Sequence, residues 1–143
     1  MIALDTNLLV YAHRAENPFH ATAAQLVKTL AEGRASWAIP WPCVHEFYGV
    51  VTNRRVFTVP TPVEVALAQI NAWLESPSLV LLAENERHWP ELHELIGKTK
   101  LQGPMVHDAR IAALCLSHGV RELWSADRDF SRFPKLRVRT PLV

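Results

Sequence analysis

The chain has 143 residues, 49% of them hydrophobic and 20% charged, and a formal net charge of +1. That composition excludes a disordered chain and a coiled coil, and the length suits one domain, residues 1–143, that buries roughly two-thirds of its unfolded surface. A balanced charge leaves the choice of partner to charge distribution, and no apolar run approaches the roughly 20 residues that cross a bilayer.

Ile2 to Leu4 form an uninterrupted apolar run that reads as a buried strand, with Leu8 to Tyr11 opening a helix after it. The chain begins directly in that strand, so no signal peptide is expected and the protein is assigned to the cytoplasm, with no membrane partner. Asn17-Pro18 breaks the pattern, and Phe19, Ala23, Leu26, Val27 and Leu30 then recur at helical spacing up to a capping Gly33. Trp37 to Ile39 read as a second strand, followed by a helix with Pro42 in its first turn and Val44, Phe47, Tyr48 and Val51 on one stripe.

Pro60 and Pro62 bracket another start, where Val63, Leu67, Ile70 and Leu74 form a stripe expected to face the core. Leu79 to Leu82 make a third strand, and Trp89, Leu92, Leu95 and Ile96 a further helix. The polar stretch from Gly97 to Gly103 is expected to be a mobile loop. Pro104 to Ser117 predict a helix closed by Gly119, Glu122 to Ser125 a fourth strand, and Leu136 to Val138 a candidate fifth. Strands alternating with helices over short connections predict a parallel sheet covered on both faces.

Four acids take matching places in that order. Asp5 and Asp127 follow buried strands, and Glu46 and Asp108 lie early in helices. In a parallel sheet both kinds of place fall on the edge where strands end and helices begin, which is where ligands bind. Asp108 is the most telling, because its helical neighbours Ile111, Ala112 and Cys115 are apolar, and an ionised carboxylate among them requires a compensating partner. For Asp5, Asp127 and Glu46 helix capping, an Asx turn or a favourable helix dipole would each suffice alone.

Together, four carboxylates at one edge repel strongly unless protons or a cation neutralise them. Oxygen-only ligands favour Mg²⁺ or Mn²⁺ over zinc, and such a site can activate water against a phosphodiester.

Asp5-Thr6-Asn7, Glu46, Val106-His107-Asp108-Ala109 and Ser125-Ala126-Asp127-Arg128-Asp129-Phe130 together resemble the signature of PIN-domain ribonucleases. More narrowly, Arg55-Val56-Phe57 and the run from His118-Gly119 through Asp127 to Pro134 resemble the VapC toxins of toxin–antitoxin pairs. The resemblance covers essentially the whole chain. It implies a three-layer α/β/α sandwich with a central, mostly parallel sheet, and a Mg²⁺- or Mn²⁺-dependent endoribonuclease acting on structured RNA of the tRNA or rRNA class. It further implies a homodimer inhibited by a cognate VapB-type antitoxin. Carried across by position, it makes Asp5, Glu46, Asp108 and Asp127 the metal ligands and Asp129 an accessory one, with Asn7 and Ser125 orienting ligands or water. Ser125 stands where the family often has Thr, which keeps the hydroxyl.

The basic residues cluster at Arg54-Arg55, at Lys98 and Lys100, and from Arg128 through Arg132, Lys135 and Arg137 to Arg139. A phosphate backbone approaching an acidic centre needs such groups, and Arg110 and Arg128 are adjacent in sequence to the proposed ligands. Gly97-Lys98-Thr99 is not a phosphate-binding loop, since the earlier glycine is missing and the triplet ends a helix. No His or Cys pair has zinc spacing, and Cys43 and Cys115 read as reduced packing residues. Two alternatives stay open at this level: an aspartate-nucleophile phosphatase, which usually has a second aspartate where Asn7 stands, and a PIN module that binds RNA or protein without cutting.

Overall fold

Short apolar runs next to helix-starting residues fold here into a sheet whose strands all point the same way. The structure is a computed structural model that describes residues 1–142. The chain runs β1 (Ile2–Leu4), α1 (Thr6–His13), α2 (His20–Glu32), β2 (Trp37–Pro40), α3 (Trp41–Val51), α4 (Val63–Leu74), β3 (Leu79–Leu82), α5 (His88–Thr99), α6 (Val106–Ser117), β4 (Glu122–Trp124) and β5 (Val138–Arg139). The strand order is β3-β2-β1-β4-β5, and all four pairings are parallel. With its helices this makes a three-layer α/β/α fold, as expected from the sequence.

The central strands are buried because they lack polar side chains: Ala3, Leu4, Trp37 and Ala38 are fully inaccessible. Their carboxyl ends give way to helices through specific devices. Asp5 caps α1 by accepting from Thr6 N–H at 2.8 Å, Pro42 sits in the first turn of α3 where a missing N–H costs nothing, and Gly119, at φ 67, turns the chain out of α6. The pairing of β1 with β4 aligns Leu4 with Trp124, so the next residues of both strands, Asp5 and Ser125, emerge side by side. That register positions the site.

Four expectations are corrected. Most of the α4 stripe does not face the core: Val63, Leu67 and Leu74 are 48%, 49% and 39% exposed, Ile70 alone of the four is half-buried against the core, and Ala66 and Trp73 face inward with it. Trp73 decides this, because its ring packs edge-on against buried Phe47 at 4.8 Å and turns the helix by about one residue, or roughly 100°. Leu67→Ser should accordingly change stability by less than about 1 kcal/mol in urea unfolding, against about 2–5 kcal/mol for truncating a buried leucine.

The segment from Gly97 to Gly103 is shorter as a loop than expected, since α5 continues through Thr99. An i,i+4 ion pair between Glu94 and Lys98 at 2.8 Å favours the extra turn, and Lys100 ends it in the left-handed conformation at φ 55. The helix expected from Pro104 begins as a 3-10 turn, Gly103–Met105, and becomes α6 at Val106. The fifth strand is Val138–Arg139, displaced from Leu136 to Val138 because Leu136 is drawn into the core.

Cys43 and Cys115 are buried and unpaired, and burial lifts the Cys115 thiol to about 12, so both remain neutral. No helix of the described residues is long and apolar enough to cross a membrane.

Candidate functional site

Asp5 is 5% exposed at the end of β1, and both of its oxygens are engaged. Oδ1 accepts from Thr6 N–H, and Oδ2 accepts from the Ser125 hydroxyl at 2.7 Å and from Asn7 Nδ2 at 3.3 Å. Asn7 reaches across to the end of β4 as well, where Nδ2 lies 3.3 Å from Ser125 Oγ and Oδ1 accepts from Ala126 N–H at 3.1 Å. Ser125 also accepts from Asp127 N–H at 2.9 Å. Asn7 and Ser125 thus tie two strand ends, distant in sequence, into one rigid unit that fixes the Asp5 carboxylate. The Cys43 thiol contacts Asp5 Oδ1 at 3.7 Å from the first turn of α3, a contact that no sequence pattern announces.

Asp5, Glu46, Asp108 and Asp127 line one cleft of about 320 Å³, together with Thr6, Asn7, Val10, Tyr11, Asn17, Val50, Val56, Phe57 and Ile111. The edge rule therefore holds: two strand ends and two helices bring the four acids together. Asp129 joins from outside the cleft. One carboxylate oxygen each from Asp108, Asp127 and Asp129 lie within 4.8 Å of one another, while Asp129 N–H donates to Asp127 Oδ1 at 2.8 Å.

The electrostatics express the crowding. Burial, joined by the charge of Asp127, holds the Asp5 carboxyl above its ordinary value in spite of the hydrogen bonds that favour its anion. Burial again, then the charges of Asp5 and Asp108, raise Glu46. Asp108 is raised by burial and by Asp127, Asp5 and Asp129 in turn. Three of the acids are thus destabilised as anions, first by burial and then by neighbouring carboxylates, a condition that a bound cation relieves.

The residues fit such a cation. Every convergent donor is a carboxylate, the three-acid group has the compactness that a single ion requires, and the buried Oγ1 of Thr6 in the same cleft lacks a hydrogen-bond partner among the described residues. Hard oxygen donors of this kind suit Mg²⁺ or Mn²⁺.

The two arginines singled out from the sequence lie beside the cleft instead of in it. Arg110 lines a neighbouring cleft with Pro42, His45, Glu46 and His107, and it pairs with Glu84 at 3.3 Å. Arg128 is exposed and lines another recess that shares Asp127. Lys98 and Lys135 are taken up by acids of α5, Lys98 by Glu94 and Lys135 by Glu91 and Glu94. Of the five tryptophans, Trp37, Trp73 and Trp124 are buried, whereas Trp89 is 61% exposed.

The PIN domain family profile matches residues 2–136. Ribonuclease VapC43 of Mycobacterium tuberculosis (strain ATCC 25618 / H37Rv) is 40% identical over 142 residues, which are 99% of this chain and 96% of that protein. Among solved structures, VapBC-1 from nontypeable Haemophilus influenzae matches with a TM-score of 0.72 at 19% identity, over 100% of both chains. VapC20 of Mycobacterium tuberculosis, described as a sarcin-ricin loop cleaving toxin, matches with a TM-score of 0.66 at 18% identity, over 92% of this chain and 93% of that one. At such identities these two structures speak for the fold.

Proposed function

The chain belongs to the PIN domain family, and from that premise we propose that it is a Mg²⁺- or Mn²⁺-dependent endoribonuclease, the toxin of a VapBC-type pair, acting on structured RNA of the tRNA or rRNA class. The observation that carries the reading is the convergence of Asp5, Glu46, Asp108 and Asp127 on one cleft. Binding RNA alone would not require four acids, which repel a phosphate backbone.

When bound, the divalent cation supplies Lewis acidity at a phosphodiester, favouring water as the nucleophile and stabilising the leaving oxygen. The chain supplies the rest. Asp5, Glu46, Asp108 and Asp127 act as ligands and Asp129 as an accessory one, so that phosphate can approach a centre that is otherwise all negative. Ser125 and Asn7 are positioning residues: they hold Asp5 Oδ2 from two directions, so its geometry is set before substrate arrives. Val10, Val50 and Ile111 exclude water from one side of the cleft and strengthen the electrostatics inside it.

Arg110 and Arg128 contact flanking phosphates in this reading. Arg110 must first leave Glu84, and an exposed pair of that kind is worth only about 0.2–1 kcal/mol, so the exchange for a phosphate is accessible. The name of VapBC-1 supports a VapB-type antitoxin as the partner, and a homodimer completes the proposed reading.

The test is direct. Purified protein with Mn²⁺ should cut folded tRNA or ribosomal RNA fragments at discrete sites, and EDTA should abolish the cuts. Intact RNA across such a panel with either ion would refute the nuclease reading. Growth arrest on expression, relieved by a small neighbouring reading frame, would establish the toxin assignment separately.

A further inference from the structure

The acid cleft has a second, apolar side. Val56 and Phe57, from the loop between α3 and α4, face it together with Val10, Tyr11 and Ile111. Val56 is 52% exposed and so is open to a ligand in the cleft.

Phe57 is held firmly. The Arg14 guanidinium lies 4.0 Å from the centroid of its ring, and the same group donates to Thr61 Oγ1 at 3.1 Å and to the Val59 carbonyl at 2.8 Å. Thr61 is bonded in turn to His13 Nε2 at 3.1 Å, and Thr61 N–H donates to the Val51 carbonyl at 2.7 Å. Both ends of the loop are pinned to α1 and α3, so the apolar wall stands ready before any ligand arrives. Merely keeping water off the acids would require no such fixed aromatic.

The same cleft carries a polar edge. Asn17 Oδ1 accepts from Phe19 N–H at 2.8 Å, which fixes the amide and leaves its Nδ2 as a donor, and Tyr11 brings a hydroxyl. An apolar and aromatic wall with one or two donors, in a cleft of about 320 Å³, is the form of a small-ligand pocket, and it shares that cleft with Asp5, Glu46, Asp108 and Asp127.

We propose that this side of the cleft is a base pocket, in which an unstacked nucleobase adjoining the scissile phosphate packs against Val56 and Phe57 and presents an acceptor edge to Asn17. The proposal rests on the ribonuclease reading and names the feature of the RNA that the site selects: a nucleotide splayed out of its stack, as loops and bulges offer and paired helices do not. The acids and the wall then divide the labour, one side reading phosphate and the other a base.

The experiment uses hairpin RNAs with randomised loops, the cut hairpins being remade with a single abasic ribonucleotide on either side of the scissile bond. Wild type should lose roughly 5- to 150-fold in kcat/KM at one of the two positions, the range for losing one stacked base. Phe57→Leu, which keeps an apolar side chain under Arg14, and the exposed variant Val56→Ser should lower kcat/KM on intact RNA and shrink the abasic penalty. A second readout is independent of cutting: Asp5→Asn protein should raise the fluorescence of 2-aminopurine placed in the loop, as a base leaving its stack does, and adding Phe57→Leu should reduce the rise.

Absence of cutting in every hairpin, with the fluorescence rise retained, would remove the nuclease and keep the base pocket. Undiminished cutting of both abasic substrates, or an abasic penalty unchanged in both variants, would overturn the pocket and keep the nuclease. Variants that cut normally but no longer bind the co-expressed antitoxin would assign the wall to protein docking and overturn the pocket as well.

Discussion

Asp5→Asn should abolish divalent-ion-dependent RNA cleavage, with a fall in kcat on the order of 10³ or more. A ligand carboxylate supports several kcal/mol of transition-state charge stabilisation, and each factor of ten in rate corresponds to about 1.4 kcal/mol. The substitution removes a negative charge and also reverses the hydrogen-bond polarity at one oxygen. Oδ2 now accepts from the Ser125 hydroxyl and from Asn7 Nδ2, and an amide nitrogen there would meet donors from both. Swapping the amide ends would bring the same conflict to Thr6 N–H, which donates to Oδ1. Circular dichroism and urea unfolding should show the variant folded, because the strand beneath it is fixed by Ala3, Leu4 and their pairing with β2 and β4. Undiminished cutting by folded Asp5→Asn would remove Asp5 from the site, and with it the central argument. Asp127→Asn, at the matching end of β4, should behave alike.

Why those two residues stand together was only half legible in the sequence. That Asp5 and Asp127 end buried strands follows from their flanking apolar runs, and that Glu46 and Asp108 lie on helices starting at the same edge follows from Pro42 and from the apolar face around Asp108. The rule that strand ends and helix starts share an edge then gathers all four. Strand order does not follow from such reasoning: alternating strands and helices are compatible with many orders, and the adjacency of β1 and β4 is what sets Asp5 beside Ser125.

The bonds of Asn7 to Ser125 and to Ala126 span residues 118 and 119 positions apart, beyond the reach of any local pattern. The misread α4 stripe has a different cause. Two candidate faces, one through Leu67 and one through Ala66, are both apolar, and only the contact between Trp73 and Phe47 chooses between them. The Phe57 wall was hidden for a similar reason, since a phenylalanine in an irregular loop has no periodicity and Arg14, which clamps it, lies in a different part of the chain.

The protein free of divalent ions should lose stability as pH rises from about 4 toward neutrality, and saturating Mn²⁺ should reverse that trend. Asp5, Glu46 and Asp108 all have carboxyls raised above their ordinary values, chiefly by burial and next by one another's charge or that of Asp127. The folded state therefore holds protons that the unfolded chain has already released. Their stabilising contribution is complete below the unfolded carboxylate values, roughly 3.9 to 4.3, and is lost as pH climbs through the raised folded values. A divalent ion binds the deprotonated acids, so its contribution grows over the same window, and at a hundredfold excess over Kd it reaches about 2.7 kcal/mol. Whatever the rest of the chain contributes is common to both conditions, so the difference between melts in EDTA and in Mn²⁺ isolates the acids that hold the ion. Asp108→Asn removes one of the mutually repelling charges. It should flatten the EDTA curve, with a gain of no more than about 1 kcal/mol at pH 7 because Asp108 is only half-buried and solvent screens it, and it should weaken the response to Mn²⁺. Parallel pH profiles with and without the ion would mean that these carboxylates do not share a cation, whatever their proximity.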